Sequence, residues 1–220
     1  EIAELPSDAP IDSRTITDLA SLPLGAVSLF KIDLKTVEQR MLKNSWIRQV
    51  RLEKKFPQTL SMSVEFRQPV AFFQANSGDV SYVDANGKIF GKLRLNSHAD
   101  LPFISGMAAD EGGKIIAALE ILRGLEKDLN KVSRVSNVLW DGQLGFRALV
   151  IYPLKGSDQV LFGRTYVELG PENPEFPELK DEQFKSITAV ISYLSSHGIP
   201  AHRIWADAEK KIVVKTDRSS

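Results

Sequence analysis

The side chains that could titrate or bind metal near neutral pH are few in this sequence. His98, His197 and His202 do not stand at the spacing of metal ligands on a helix, and no HExxH motif occurs. His197 precedes Gly198 at a predicted helix end, where a cation or a cap is favourable. Cysteine is absent, which excludes disulfides and thiolate-bound metal. The sequence therefore predicts no metal site.

Motifs for nucleophilic catalysis or phosphate binding are missing as well. The sequence has no GxSxG elbow, Walker loop or dinucleotide fingerprint. Carboxylate pairs such as Asp110-Glu111 and Glu172 with Glu175 fall in predicted loops or first helical turns, and nothing singles out a glycosidase dyad among them. We therefore predict a non-catalytic protein that needs no cofactor. An enzyme stays as an alternative, which a pocket that gathers titratable groups would favour.

Charge balance and hydropathy argue against nucleic acid as a partner and against a membrane span within the sequence. The chain carries 28 basic and 28 acidic side chains, without the basic excess typical of nucleic-acid binding. No apolar run approaches the roughly 18–20 residues needed to span a bilayer. The sequence shows no signal peptide. It begins at Glu1 without an initiator Met, so we expect that an upstream segment has been removed.

Two helices and two strands predict an N-terminal α+β lobe over residues 1–69. Helical spacing predicts one helix over 14–22 and a second after Asp33, and period-two alternation predicts two strands around the turn at 57–59. Trp46 is expected to pack between the second helix and the sheet. The apolar residues that carry these patterns are Ile16, Leu19 and Ala20; Leu34, Val37, Met41 and Leu42; Val50, Leu52 and Phe56; and Leu60, Met62, Val64 and Phe66.

The remaining residues, 70–220, predict a larger lobe of mostly antiparallel strands with two helices. The predicted helices run from about Gly113 to Leu129 and over about 181–196. The predicted strands cover 70–74, 80–90, 135–140, 144–152, 159–163, and a last hairpin that joins 202–206 to 212–215. The expected fold class is therefore α+β in two lobes.

A series of motifs along the chain carries a family resemblance. The series reads Leu-Gly at 24–25, LFKID at 29–33, WIRQV at 46–50, FPQTL at 56–60, EFRQPVA at 65–71, YVDANGKIF at 82–90, LPFISG at 101–106 and VLFGR at 160–164. In this order the motifs strongly resemble the POTRA domain, and its continuation, of the FtsQ/DivIB family of cell-division proteins. The chain departs from the family pattern at Ser45, where proline is usual, and at Trp205-Ala206-Asp207-Ala208, where an Asp-Leu-Arg-Tyr run is usual.

The resemblance implies a location and partners. Members of the family have a cytoplasmic tail, one inner-membrane helix and a periplasmic POTRA-plus-β ectodomain, so the membrane contact would come through an N-terminal helix missing here. They link early and late division proteins at the septum. The POTRA lobe would assist localisation and contact other division proteins, and the β lobe would bind the FtsB–FtsL pair.

The last hairpin is the expected partner-binding element. A strand at a sheet edge presents unpaired backbone groups that a partner strand can satisfy, and the run 212–215 is short, β-branched and nearly terminal. By family resemblance, the arginine after Gly163 would pair with an acidic partner residue. The expected partner-binding residues are Arg164, Trp205, Ala208, Lys210, Ile212, Val213, Val214 and Lys215.

Other readings of these features stay open at this point. The hairpin could be a solvated edge without a partner, Arg164 an ordinary surface arginine, and Trp205, like Trp140, a core residue at a strand end. A POTRA-containing assembly factor for outer-membrane or secreted proteins would share the first lobe. That alternative needs tandem POTRA copies or a barrel, and residues 70–220 resemble neither.

Overall fold

The computed structural model describes residues 11, 13–21, 28–57, 59–93, 99–129, 133–155, 161–169, 181–206 and 212–216. Backbone contacts divide the chain into two compact units. One comprises Glu1–Pro69 with Phe90–Asp100, and the other comprises Val70–Ile89 with Leu101–Ser220. Residues 2–5, which the sequence suggests as a first strand, lie outside the described residues, as do Asp12, a possible helix cap, and Pro23 and Gly25, which would stop the first helix.

The described residues of the first unit form two short helices and a two-stranded antiparallel sheet. Its elements are α1 (Ser13–Ala20), a 3₁₀ turn (Leu29–Lys31), α2 (Leu34–Met41), β1 (Ile47–Lys55) and β2 (Thr59–Phe66). Asp33 caps α2, because its carboxylate accepts hydrogen bonds from Lys35 N at 3.1 Å and from Thr36 Oγ1 at 2.6 Å. These bonds satisfy an N-terminal backbone donor that a short helix cannot satisfy by itself.

Several of the alternating apolar residues of the first unit are buried, as predicted. Val50 pairs with Val64 across the sheet, and Trp46 is 4% exposed. Two details of the prediction are wrong. Leu42 is 41% exposed because α2 ends at Met41, which leaves Leu42 as the C-cap. Phe56 is 63% exposed because β1 ends one residue before it.

The second unit is built on a sheet of nine strands in the described residues, with two helices. Its elements are β3 (Pro69–Gln74), β4 (Val80–Asp84), β5 (Ile89–Phe90), β6 (Phe103–Ser105), α3 (Gly112–Asp128), β7 (Arg134–Asp141), β8 (Gly145–Leu154), β9 (Leu161–Glu168), α4 (Asp181–Ser196), β10 (Ala201–Ala206) and β11 (Ile212–Thr216). The strand order is β11-β10-β9-β8-β7-β6-β3-β4-β5. The α+β fold is confirmed, while β6 was not predicted as a strand.

Strand direction follows from where the helices lie in the chain. Helix α3 connects β6 to β7 and α4 connects β9 to β10, and both of these strand pairs are parallel. A helical crossover returns the chain to the same end of the sheet, whereas the hairpins β7–β8, β8–β9 and β10–β11 reverse it. Both helices pack on one core with the strands. We call the opposite surface, from β7 to β11, the open face.

Candidate partner-binding face

Strand β11 is the last strand of the sheet order, paired on one side with β10. The register pairs Trp205 with Val213 and Arg203 with Lys215. No described strand pairs with its other side. A strand at the end of a sheet order is the geometry that β-strand addition uses.

The side chains of β11 alternate between the core and the open face. Ile212 and Val214 are partly buried and pack against the core cluster. Val213, which is 55% exposed, and Lys215 point the other way. Because side chains alternate with period two, a strand added to β11 would place every second side chain beside Val213 and Lys215.

Aromatic and charged residues cover the part of the open face next to β11. Cross-strand partners lie on the same face of a sheet, so the pairing register identifies which side chains share it. In β9, Thr165 and Val167 point to the core, while Phe162 and Tyr166 remain 52% and 44% exposed. The open-face residues are Arg147, Leu149 and Ile151 on β8; Phe162, Arg164, Tyr166 and Glu168 on β9; Arg203 and Trp205 on β10; and Val213 and Lys215 on β11.

Two arginines of the open face lie over aromatic rings. The guanidinium of Arg203 is 5.5 Å from the centroid of the Trp205 ring, and that of Arg147 is 5.9 Å from the centroid of Tyr166. The Arg203 Nε also lies 3.2 Å from Glu168 Oε1, in an ion pair that lacks hydrogen-bond geometry. Arginine with tryptophan and tyrosine is the composition of protein-interface hot spots.

Asp141, the last residue of β7, forms an ion pair with Arg147 of β8. Hydrogen bonds from the backbone N–H groups of Gln143 and Leu144 lower the pKa of Asp141, and the charge of Arg147 lowers it further. Arg147 Nη2 lies 3.2 Å from Asp141 Oδ2. The carboxylate therefore stays ionised and pairs with Arg147.

Arg164 lies between Phe162 and Tyr166 on β9, exposed and opposite Ile151 of β8. An arginine flanked by two half-exposed aromatic rings suits a contact that combines charge with apolar burial. Strand β10 separates it from β11. The structure thus places Arg164 on the same face as the predicted edge, but not on the edge itself.

The other predicted partner-binding residues divide into two groups. Trp205, Ile212, Val213, Val214 and Lys215 come together on the β10–β11 hairpin. Ala208 and Lys210 lie outside the described residues.

Sequence reasoning missed Arg203, Tyr166 and Glu168. For the last two, the reason is that β9 was predicted to end at residue 163 and runs to Glu168. The alternation of Thr165 and Val167 with Tyr166 and Glu168 is the signal that could have extended it.

The described residues show neither a metal-binding cluster nor a membrane-spanning helix. They contain no group of three or more histidine, cysteine or acidic residues that could hold a metal ion. Among them, no helix has both the length and the apolar character that crossing a membrane requires. His197 lies at the end of α4, where its ring stacks on Tyr193 with centroids 4.0 Å apart and its Nδ1 is 2.9 Å from the Tyr193 carbonyl oxygen. His98 lies outside the described part of the chain.

Two family models match most of the chain. Residues 10–65 match the family model described as "POTRA domain, FtsQ-type", and residues 71–190 match "Cell division protein FtsQ/DivIB, C-terminal". The cell division protein FtsQ of Geotalea daltonii is 30% identical over 167 residues, which cover 70% of this chain and 58% of the relative. The FtsQ of a Geobacter species is 40% identical over 101 residues, 46% of this chain and 36% of that protein. The FtsQ of Syntrophotalea carbinolica is 27% identical over 201 residues, 86% of this chain and 64% of that protein.

Proposed function

Because the chain belongs to the FtsQ/DivIB family of cell-division proteins, we propose that it is a non-enzymatic adaptor that binds the FtsB–FtsL pair and so links early and late division proteins. The chain spans 58% and 36% of the length of the first two relatives described above. In this proposal it is the periplasmic ectodomain of a single-pass inner-membrane protein at the septum. Its POTRA unit contacts other division proteins.

The observation that carries the proposal is the position of β11 at the end of the sheet order. A partner segment adds to this strand and forms backbone hydrogen bonds along its five residues. Backbone bonds supply affinity without regard to sequence, so specificity comes from side chains on the two faces. On the open face those side chains lie beside Val213 and Lys215.

Arg164 contributes a charge contact with an acidic residue of the partner. Its two aromatic neighbours, Phe162 and Tyr166, are exposed enough to be buried by a partner that extends beyond the added strand. An exposed charge at the rim of an interface acts chiefly on the association rate and on the salt dependence of binding. Arg164→Glu is therefore expected to weaken binding at low salt more than at high salt, whereas Arg123→Glu on the exposed side of α3 leaves binding unchanged.

The assembly-factor alternative receives no support from the second unit. Residues 71–190 match the C-terminal model of the division family, and a barrel-assembly factor would share only the POTRA unit with this chain. We therefore retain the division adaptor as the proposed function.

A pair of proline substitutions on β11 tests strand addition. In an antiparallel strand the N–H groups of successive residues point to opposite sides, so one of Val213 and Val214 donates toward β10 and the other points outward. Proline at the inward position breaks the β10–β11 ladder and lowers the thermal midpoint. Proline at the outward position keeps the fold but removes a donor to the partner.

The measurement is titration of each variant with the periplasmic segments of FtsB and FtsL from the same organism, alongside a thermal melt. We expect one variant, Val213→Pro or Val214→Pro, to keep the wild-type midpoint and lose affinity by about tenfold or more. Wild-type affinity in the variant that keeps its midpoint would show that the partner does not pair with β11. Absence of saturable binding by the wild-type protein would refute the FtsB–FtsL assignment.

A further inference from the structure

Glu168 is a nearly buried carboxylate on a face that otherwise displays exposed side chains. Only 9% of its side chain is exposed, and its cross-strand partners are Arg147 on β8 and Trp205 on β10. Its Oε1 lies 3.2 Å from Arg203 Nε and accepts no hydrogen bond from the described residues. Burial of a carboxylate is costly unless opposite charge compensates it, and the neighbouring Arg147 and Arg203 supply that charge.

Arg203 in turn needs an acidic neighbour, because its surroundings are unfavourable without Glu168. Its cross-strand partner on β11 is Lys215, and like charges directly opposite one another destabilise a strand pair. Arg203 nevertheless lies over the Trp205 ring, with 45% of its side chain exposed. The carboxylate of Glu168, 3.2 Å from the Arg203 Nε, supplies a negative charge that offsets this repulsion.

We propose that Glu168 is a positioning residue of the partner-binding face. It holds the Arg203 guanidinium on the Trp205 ring, and this Arg203–Trp205 pair is presented beside β11 to the added strand. The inference rests on the proposed function and deepens it. On the open face, specificity then comes from the Arg203–Trp205 pair, and this pair depends on Glu168 of β9, two strands from β11.

The loss of the Glu168 charge can be separated from the release of Arg203, because Asp141 provides a matched control. Glu168→Gln and Asp141→Asn each remove one negative charge from the open face. Only the first releases Arg203, since Asp141 contacts Arg147 instead. An effect of charge alone shifts partner affinity in the same direction and by a similar factor in both variants, whatever the charge of the partner.

The experiment titrates wild type, Glu168→Gln and Asp141→Asn with the periplasmic FtsB and FtsL segments at two salt concentrations. We expect Glu168→Gln to bind about fivefold more weakly, with Asp141→Asn within about twofold of wild type. In an Arg203→Ala background, Glu168→Gln should cause no further loss. Equal shifts in the two charge variants, or full additivity with Arg203→Ala, would overturn the proposal.

Two readings in the free protein separate positioning from a merely structural role. The Nε–Hε resonance of Arg203 in NMR spectra should move in Glu168→Gln, because the guanidinium leaves the ring current of Trp205. Amide hydrogen exchange along β11 should stay as slow as in wild type. Faster exchange in β11 without movement of the Arg203 resonance would show that Glu168 only supports the hairpin. Failure of the wild-type protein to bind overturns the proposed function and this inference with it, whereas normal wild-type binding with an unaffected Glu168→Gln overturns the inference alone.

Discussion

Tyr152 connects the middle of the large sheet to the start of the hairpin that carries the proposed partner site. The side chain is completely buried on β8. Its hydroxyl donates a hydrogen bond to the Ile199 carbonyl oxygen at 3.2 Å and accepts one from the Ala201 N–H at 2.9 Å. Ala201 is the first residue of β10, so this hydroxyl contacts the backbone at the start of the hairpin. Tyr152→Phe removes that atom and keeps the ring.

The expected cost of Tyr152→Phe follows from the two backbone groups that it leaves unpaired. Each buried hydrogen bond contributes about 0.5–1.5 kcal/mol net, and a buried group left unsatisfied costs about 1–3 kcal/mol. We expect the free energy of unfolding to fall by about 2 kcal/mol. For a chain of 220 residues, this corresponds to a decrease of about 4–8 °C in the midpoint of thermal unfolding.

Urea denaturation followed by far-UV circular dichroism measures the change, with hydrogen exchange at the Ala201 amide as a local reading. Tyr193→Phe is the matched control, because that ring is 56% exposed on α4. The control should change the free energy of unfolding by less than about 0.5 kcal/mol. Tyr152→Phe should also accelerate exchange at Ala201, since its N–H loses its acceptor.

The role assigned to the hydroxyl is refuted if Tyr152→Phe unfolds at the wild-type urea concentration and Ala201 still exchanges slowly. In that case another group would satisfy the Ala201 N–H, and the hydroxyl would have no part in fixing β10. A reduced midpoint with unchanged exchange at Ala201 would locate the loss elsewhere and equally contradict the role assigned to the hydroxyl.

Two further predictions concern the helices. Gly124→Ala should lower the free energy of unfolding, measured by urea denaturation, by about 1–3 kcal/mol. The added Cβ would lie 2.5 Å from the Phe184 ring, which outweighs the better helix propensity of alanine. Gly112→Ala, with open space around the added Cβ, is the control. Hydrogen bonds from Thr36 and the backbone lower the pKa of Asp33, so its contribution to stability is present above the ordinary pKa of a carboxyl group and is lost as the pH falls through the lowered value. Asp33→Asn should flatten this acid dependence of the thermal midpoint while keeping a cap, and Asp33→Ala should lose both; an unchanged acid limb in Asp33→Asn would contradict the assignment.

Periodicity in the sequence predicted the elements that bury one continuous stripe or alternate without interruption. Helix α4 has the predicted bounds, Asp181–Ser196, and β2 shows the predicted alternation of Val64 and Phe66 with exposed residues. Each of these patterns extends over several turns or residue pairs, so local burial alone identifies it. Strand β6 has only three residues, Phe103–Ser105, which is too short for a period to be recognised.

The candidate site was predicted only where it coincides with a local pattern. The run of β-branched residues in β11 marked a strand, and its position near the end of the sequence suggested an edge. Arg203 and Glu168 could not be found in this way, because they lie 35 positions apart in sequence and meet only through the parallel pairing of β9 with β10. A pair created by a helical crossover has no signature in either segment alone.

What the sequence determined by itself is the α+β class, the existence of most helices and strands, and the absence of common catalytic motifs. These properties depend on residue type and on side-chain periodicity, which can be recognised from residues close together in sequence. The tertiary structure decided the strand order, the parallel direction of three pairs, and which residues share the open face with β11. Such properties depend on which strands meet after α3 and α4 have packed on the sheet, and the free energy that selects this pairing comes from burial between residues distant in sequence.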